Sequence, residues 1–264
     1  MKKLLCIIPL VFIMLFSSAC GGGESPAENT GEPETRPVFT TGNQTFSREY
    51  RDSNNRKVSK LSVTLPKLNE SYGKECSEAI NSFFGRLAGE YDRRIERNAE
   101  NTSDYLKKLN LKGPEITEIS YEIYNLDSTF FSVTVLKKTA VDIDKAEPAA
   151  ECYTFSMKDG HTVSLHEYML TAESADFDSA LADAAVAEAN RSYSGNAVDV
   201  SESQAQMIKE LCSSENFLAD ESGIAFALSR GSLSGGSRTG IYMCEIGYDE
   251  LSEVMADPYN ISEP

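Results

Sequence analysis

Histidine is scarce in this chain: His161 and His166 are the only two. A zinc site built on them needs a third or fourth ligand, for which Glu167 is the nearest candidate. Cysteine occurs six times but never in a C-x-x-C spacing, so redox and zinc-ribbon motifs find no support. G-x-S-x-G, H-E-x-x-H, P-loop and dinucleotide fingerprints are all missing, and with them the usual signatures of hydrolases, nucleotide enzymes and oxidoreductases. Basic residues are in deficit, 25 Lys and Arg against 41 Asp and Glu, for a net charge of -16. Nucleic acid is therefore excluded as a ligand, because phosphate binding needs a basic surface. The acidity keeps the chain soluble and suits a cationic partner, whose approach the field would steer. The N-terminal apolar run, Leu4 to Phe16, is 13 residues long. A membrane-spanning helix needs about 20.

What is present begins with that run. Lys2 and Lys3 precede it, and Ser17-Ser18-Ala19 ends at Cys20, the layout of an export signal. A cysteine straight after small residues resembles the lipobox of bacterial lipoproteins, although Ser17 stands where leucine is usual. That resemblance implies cleavage after residue 19, acyl chains such as palmitate on Cys20, and a lipid anchor at the outer face of the cell membrane. Residues 20–37, beginning Cys20-Gly21-Gly22-Gly23, are almost free of apolar side chains and read as a flexible tether. Such a tether reaches roughly 20–25 Å on average.

The remainder, 41% hydrophobic over the whole chain, is rich enough to bury a core. Two α+β halves are expected, 38–145 and 146–258, followed by a tail at 259–264. In the first, Thr45–Tyr50 and Lys57–Leu65 flank a turn cluster, Asp52 to Asn55, and predict a hairpin. Tyr72, Cys76, Ala79/Ile80, Phe83, Leu87, Tyr91 and Ile95 recur at three and four residues and predict a long helix. Glu90, Asp92, Arg93, Arg94 and Glu96 form its wet face. A break at Asn98–Asn101 and a shorter helix, Thr102–Leu109, follow. Glu115–Tyr124 and Thr129–Lys138 predict a second hairpin. In the second half, strands are expected at Cys152–Met157, His161–Leu165, Ile224–Leu228 and Ile241–Tyr248. An extended piece is expected at Asn216–Ala219, and helices at Asp176–Tyr193, Ser201–Cys212 and Asp249–Met255. Elements cluster rather than alternate strictly, so the class is α+β with antiparallel sheets packed against helices. Cys76 and Cys212 fall on apolar helical stripes and read as buried free thiols.

Three stretches carry a resemblance. Tyr153 to Tyr168, a strand, the turn Lys158-Asp159-Gly160 and a short helix, is similar to the opening of the RsiV-like extracellular domain. Asn216-Phe217 through Gly223-Ile224-Ala225-Phe226 resembles that family's N-F to G-I-x-F stretch. Glu245 to Leu251 resembles its closing strand and Y-x-E-L helix. Residues 58–139 resemble the companion domain that precedes it. The resemblance implies an exported α+β module, known in that family outside the membrane as a binder of lysozyme and beside a catalytic peptidoglycan deacetylase domain. No deacetylase motif occurs here, so the likeness covers the accessory part alone. Residues 140–150 and 229–240 depart from the family pattern, which implies a ligand of this chain's own.

The expected function is a non-catalytic, membrane-anchored binding module without cofactor or metal. Its partner is a cationic protein such as lysozyme, or a cell-wall component such as peptidoglycan. An envelope scaffold and an unrecognised cell-wall hydrolase are the alternatives. The best binding candidate is the loop Ser229–Gly240, which holds four Gly and four Ser. Its glycines allow close backbone approach, and Arg230 and Arg238 suit a carboxylate or sugar acid. Ser234 in the loop and Tyr242 just beyond it complete the candidate set.

Overall fold

The computed structural model describes residues 41–169, 175–193, 205–206, 208–209, 215–229 and 240–250. The expected first hairpin forms from β1 (Thr41–Arg51) and β2 (Lys57–Leu68). Asp52 shapes the turn between them: Oδ1 accepts from the backbone nitrogens of Asn54 and Arg56, at 3.0 and 2.8 Å. Asn55 takes the left-handed conformation there, with φ 62°, as asparagine tolerates. The second oxygen of Asp52 accepts from Ser103 Oγ at 2.6 Å, tying the turn to a later helix.

That helix belongs to the long helical segment. α1 (Lys74–Arg97) and α2 (Ala99–Lys108) are separated at Asn98 alone, a shorter break than the expected Asn98–Asn101. The apolar stripe of α1 packs as its spacing predicts, except that Phe84 is fully buried while Phe83 lies at the margin of the cluster. β3 (Glu115–Leu126) then returns beside β2 in parallel, Ser59–Val63 against Glu115–Ile119. This departs from the all-antiparallel expectation, and the reason is topological. A strand that returns through a helical crossover arrives in the same direction as the strand it left. β4 (Phe130–Ala140) and β5 (Ala149–Ser156) add antiparallel, completing a mixed sheet of order β1-β2-β3-β4-β5. The expected halves share this sheet, since β5 lies beyond residue 145.

Phe131, Val133 and Val135 of β4 face α1, as alternation predicts, and Phe131 stacks on Phe155 of β5 with ring centroids 5.9 Å apart. The other face of β4 is also buried. There a second, antiparallel sheet packs, formed by β6 (Leu218–Ala219), β7 (Gly223–Ser229) and β8 (Ile241–Gly247). β7 is buried on both sides. Its small residues Ala225 and Ala227 meet Cys152 between the sheets, and its large ones, Ile224, Phe226 and Leu228, face the opposite way. Those join Leu181, Ala185 and Ala189 of α4 (Ala175–Tyr193) in a second core. The layers thus run from α1 and α2 through the five-stranded sheet and the three-stranded sheet to α4, an α+β architecture as expected.

The expected strand His161–Leu165 reduces to one bridge, Thr162 to Phe155, and α3 (Leu165–Tyr168) follows. Ser164 caps α3, its Oγ accepting from the Glu167 nitrogen at 3.2 Å. The three stretches that carry the family resemblance converge here. Tyr248 donates to the Asp220 carbonyl at 2.9 Å, and the Tyr168 and Tyr248 hydroxyls bond to each other. The edge of β5 is covered. Asn216 Oδ1 takes the Cys152 nitrogen at 2.7 Å, and the Val163 nitrogen donates to the Thr154 carbonyl at 2.8 Å. An edge so capped offers little to an added strand. Among the described residues no helix is long and apolar enough to cross a membrane.

Candidate functional site

The C-terminal half of α1 and the strand β5 border a cleft of about 400 Å³, within the range of small-ligand sites. Leu87, Glu90 and Tyr91 line it from the helix, and Glu151 and Tyr153 from the strand. Arg93, Arg94 and Arg97 complete the lining. β5 sets Glu151 and Tyr153 on one face because alternate residues of a strand point the same way. One carboxylate oxygen, Glu151 Oε2, accepts from Tyr153 Oη at 2.7 Å and from Tyr91 Oη at 3.2 Å. Burial first, and then this carboxylate, push both phenols far above their usual pKa, so they act as donors at every physiological pH.

Charge in this stretch is sorted by face. Asp92 and Glu96 turn towards β1, where Arg48 reaches them at 3.1 and 2.6 Å, and Tyr50 donates to Asp92 at 2.6 Å. The three arginines lie on the cleft side, exposed, and none forms an ion pair with a described residue. Arg94 and Arg97 also complement the negative end of the helix dipole. A smaller recess of about 110 Å³ shares Tyr91 and Arg94 and extends to Glu115, Lys137 and Thr139. Burial raises the Glu115 pKa there.

A second pocket, about 340 Å³, lies beside the Gly160 turn between Ser128, Phe130, Lys158, Val163 and Glu167. His161 stands next to it, with Nδ1 2.5 Å from Asp159 and Nε2 2.7 Å from Glu167. Burial opposes its protonation, but the two carboxylates outweigh burial and hold its pKa above the usual value. When protonated, His161 donates to a carboxylate from each ring nitrogen. Among the described residues no group of three or more His, Cys, Asp or Glu could hold a metal ion.

Of the sequence-derived candidates, Cys20, Arg230, Ser234 and Arg238 lie outside the described residues, as do the tether, the helix Asp249–Met255 from residue 251 on, the tail, Cys212 and most of the helix expected at Ser201–Cys212. Tyr242 is half-buried on β8, with its hydroxyl 3.5 Å from Glu188 of α4, and does not line the α1–β5 cleft. Of the residues that do line it, Glu90, Arg93 and Arg94 read in sequence as the wet face of the helix, Leu87 and Tyr91 as its apolar stripe, and Tyr153 as a strand position. The available signal was the grouping of Arg93, Arg94 and Arg97 within an acidic chain. Cys76, Cys152 and Cys244 are free and buried, as the stripe predicts for Cys76.

No family model matches the chain, and no curated protein matches it in sequence. Solved structures do. A DUF3298 family protein from Pseudomonas aeruginosa is similar with a TM-score of 0.51 at 9% identity, over 83% of this chain and 95% of that one. A member of the DUF3298 family from Bacteroides fragilis is similar with a TM-score of 0.49 at 12% identity, over 85% and 96%. DUF3298 is the RsiV-like domain family. At such identity the likeness to the Pseudomonas protein is one of fold.

Proposed function

We propose that this chain is a lipid-anchored, extracytoplasmic binding module that does no chemistry of its own and takes a cell-wall component in the cleft between α1 and β5. The observation that carries the reading is the cleft itself, in which two tyrosines fix a carboxylate beside three arginines that form no ion pair with a described residue. Such a set of donors and acceptors suits a polar ligand. The leader ending at Cys20 and the polar tether support the location. Co-sedimentation of the full chain with insoluble peptidoglycan tests the binding. Retention in the pellet supports the proposal, and a chain left wholly in the supernatant contradicts it. Labelling with palmitate tests the anchor: incorporation into the wild type and not into Cys20→Ala is the expected result.

A cationic protein such as lysozyme is the second reading, favoured by the net charge of -16. Calorimetry at about 0.15 M salt, near physiological ionic strength, separates the two. Heat that survives added salt supports the protein partner. Heat that vanishes with salt marks charge attraction alone.

A further inference from the structure

We infer that the cleft between α1 and β5 selects a carboxylate-bearing glycan fragment, with Arg93, Arg94 and Arg97 receiving the carboxylate and Glu151 receiving the sugar's hydroxyl or amide donors. The inference rests on the cell-wall reading above and names the ligand class for that same site.

Charge narrows the ligand first. In the cleft three arginines face two carboxylates, a local excess of positive charge in an acidic chain, because the other acids of this stretch of α1 lie elsewhere. Arg48 draws them away, by holding Asp92 and Glu96 on the opposite side of the helix. Guanidinium groups match carboxylates in shape and bind them through two parallel hydrogen bonds. A bare anion is a poor fit all the same, because Glu90 and Glu151 line the same cleft. The ligand must bring donors as well as an acid.

Glu151 narrows it further. Both tyrosine hydroxyls converge on Oε2, and Oε1 accepts no bond from a described residue. The carboxylate is therefore fixed in place with one oxygen open, a preorganised acceptor for hydroxyl or acetamido N–H groups. Leu87 and the ring of Tyr153, both half-buried, give the apolar surface that a sugar ring covers. Acid, hydroxyl donors and an apolar ring face occur together in an acidic saccharide. In a cell wall the acid can belong to the lactyl group of the sugar or to the attached stem peptide.

The test titrates the full chain, purified in detergent, with three probes. One is the disaccharide of N-acetylglucosamine and N-acetylmuramic acid with its lactyl carboxylate free. The second is the same disaccharide carrying the stem peptide. The third is N,N′-diacetylchitobiose, which has no carboxylate. At least one acidic probe should bind about tenfold or more tightly than chitobiose, as one charge-assisted hydrogen bond implies. Which acidic probe binds better identifies the source of the carboxylate. Arg94→Gln should lower the acidic probe to the chitobiose level and leave chitobiose unchanged, while Glu151→Gln should weaken all three. Arg94 is exposed, so an unchanged melting temperature for its variant confirms an intact fold. Equal binding of the three probes, or an Arg94→Gln chain that still prefers the acid, overturns the inference. If the wild type sediments with peptidoglycan while either overturning result is seen, the cell-wall reading stands and the carboxylate is received elsewhere. If the wild type does not sediment, the reading beneath the inference has failed.

Discussion

Ser132 Oγ of β4 lies 3.1 Å from the backbone nitrogen of Ala219 and 3.0 Å from its carbonyl oxygen, so one side chain of the large sheet grips the backbone of the small one. Thr154 of β5 adds a contact to the Phe217 carbonyl at 3.0 Å and another to Ser132 at 3.0 Å. Two hydroxyl protons serve three acceptors here, so the seam shares them. Ser132 is fully buried. Ser132→Ala leaves the Ala219 N–H without that partner and should cost about 1–3 kcal/mol in denaturant unfolding. Ser59 is the control, since its buried Oγ has no partner among the described residues, and Ser59→Ala should be neutral or stabilising. Equal losses from both would contradict the seam.

Gly160 turns the chain at φ 80° with its α-carbon against α1. A Cβ there would stand 2.5 Å from the Cys76 carbonyl oxygen and 2.9 Å from Ala79 Cβ. Gly160→Ala should lose more than the roughly 1–2 kcal/mol of a left-handed conformation alone. Gly113→Ala, with φ 105° and open space around it, should lose less. Thermal or denaturant melts compare the two.

The Asp159–His161–Glu167 contact sets a pH window. The folded pKa of His161 is raised, so its contribution is complete below the unfolded value of about 6.5 and disappears as pH rises through the folded one. Asp159 is lowered, chiefly by its hydrogen bond to His161, so its contribution is present above about 4 and is lost as pH falls through the folded value. The pair stabilises most between these limits. An NMR titration of His161 should give a pKa above 6.5 that drops in Glu167→Gln. A value at or below 6.5 in the wild type would rule out the contact.

Three thiols should be silent. Burial raises Cys76, pushes Cys152 to about 11 and Cys244 to about 12. Alkylation at pH 8 followed by peptide mapping should leave all three unmodified in the folded chain and modified after denaturation. Modification of the folded chain would place these residues at the surface.

The helix α1 was legible because burial of one face imposes a spacing that Cys76, Ile80 and Tyr91 obey. The hairpin turns were legible because Asp52 and Gly160 have few other uses. The seam between the sheets was not, since Ser132 and Thr154 are polar residues on a buried face, and alternation reads such positions as solvent. The parallel pairing of β2 with β3 was hidden for a different reason: the partners lie more than 50 residues apart, across two helices. The cleft shares that difficulty. It joins α1 to Glu151, some 60 residues on, and its arginines sit at positions that periodicity assigns to water.

Hydrogen exchange of the full chain, with and without soluble peptidoglycan fragments, tests the central claim most directly. Added protection is expected in residues 87–97 of α1 and 149–154 of β5, and its loss in Arg94→Gln. Protection confined to other elements, or no change at saturating fragment, would contradict it.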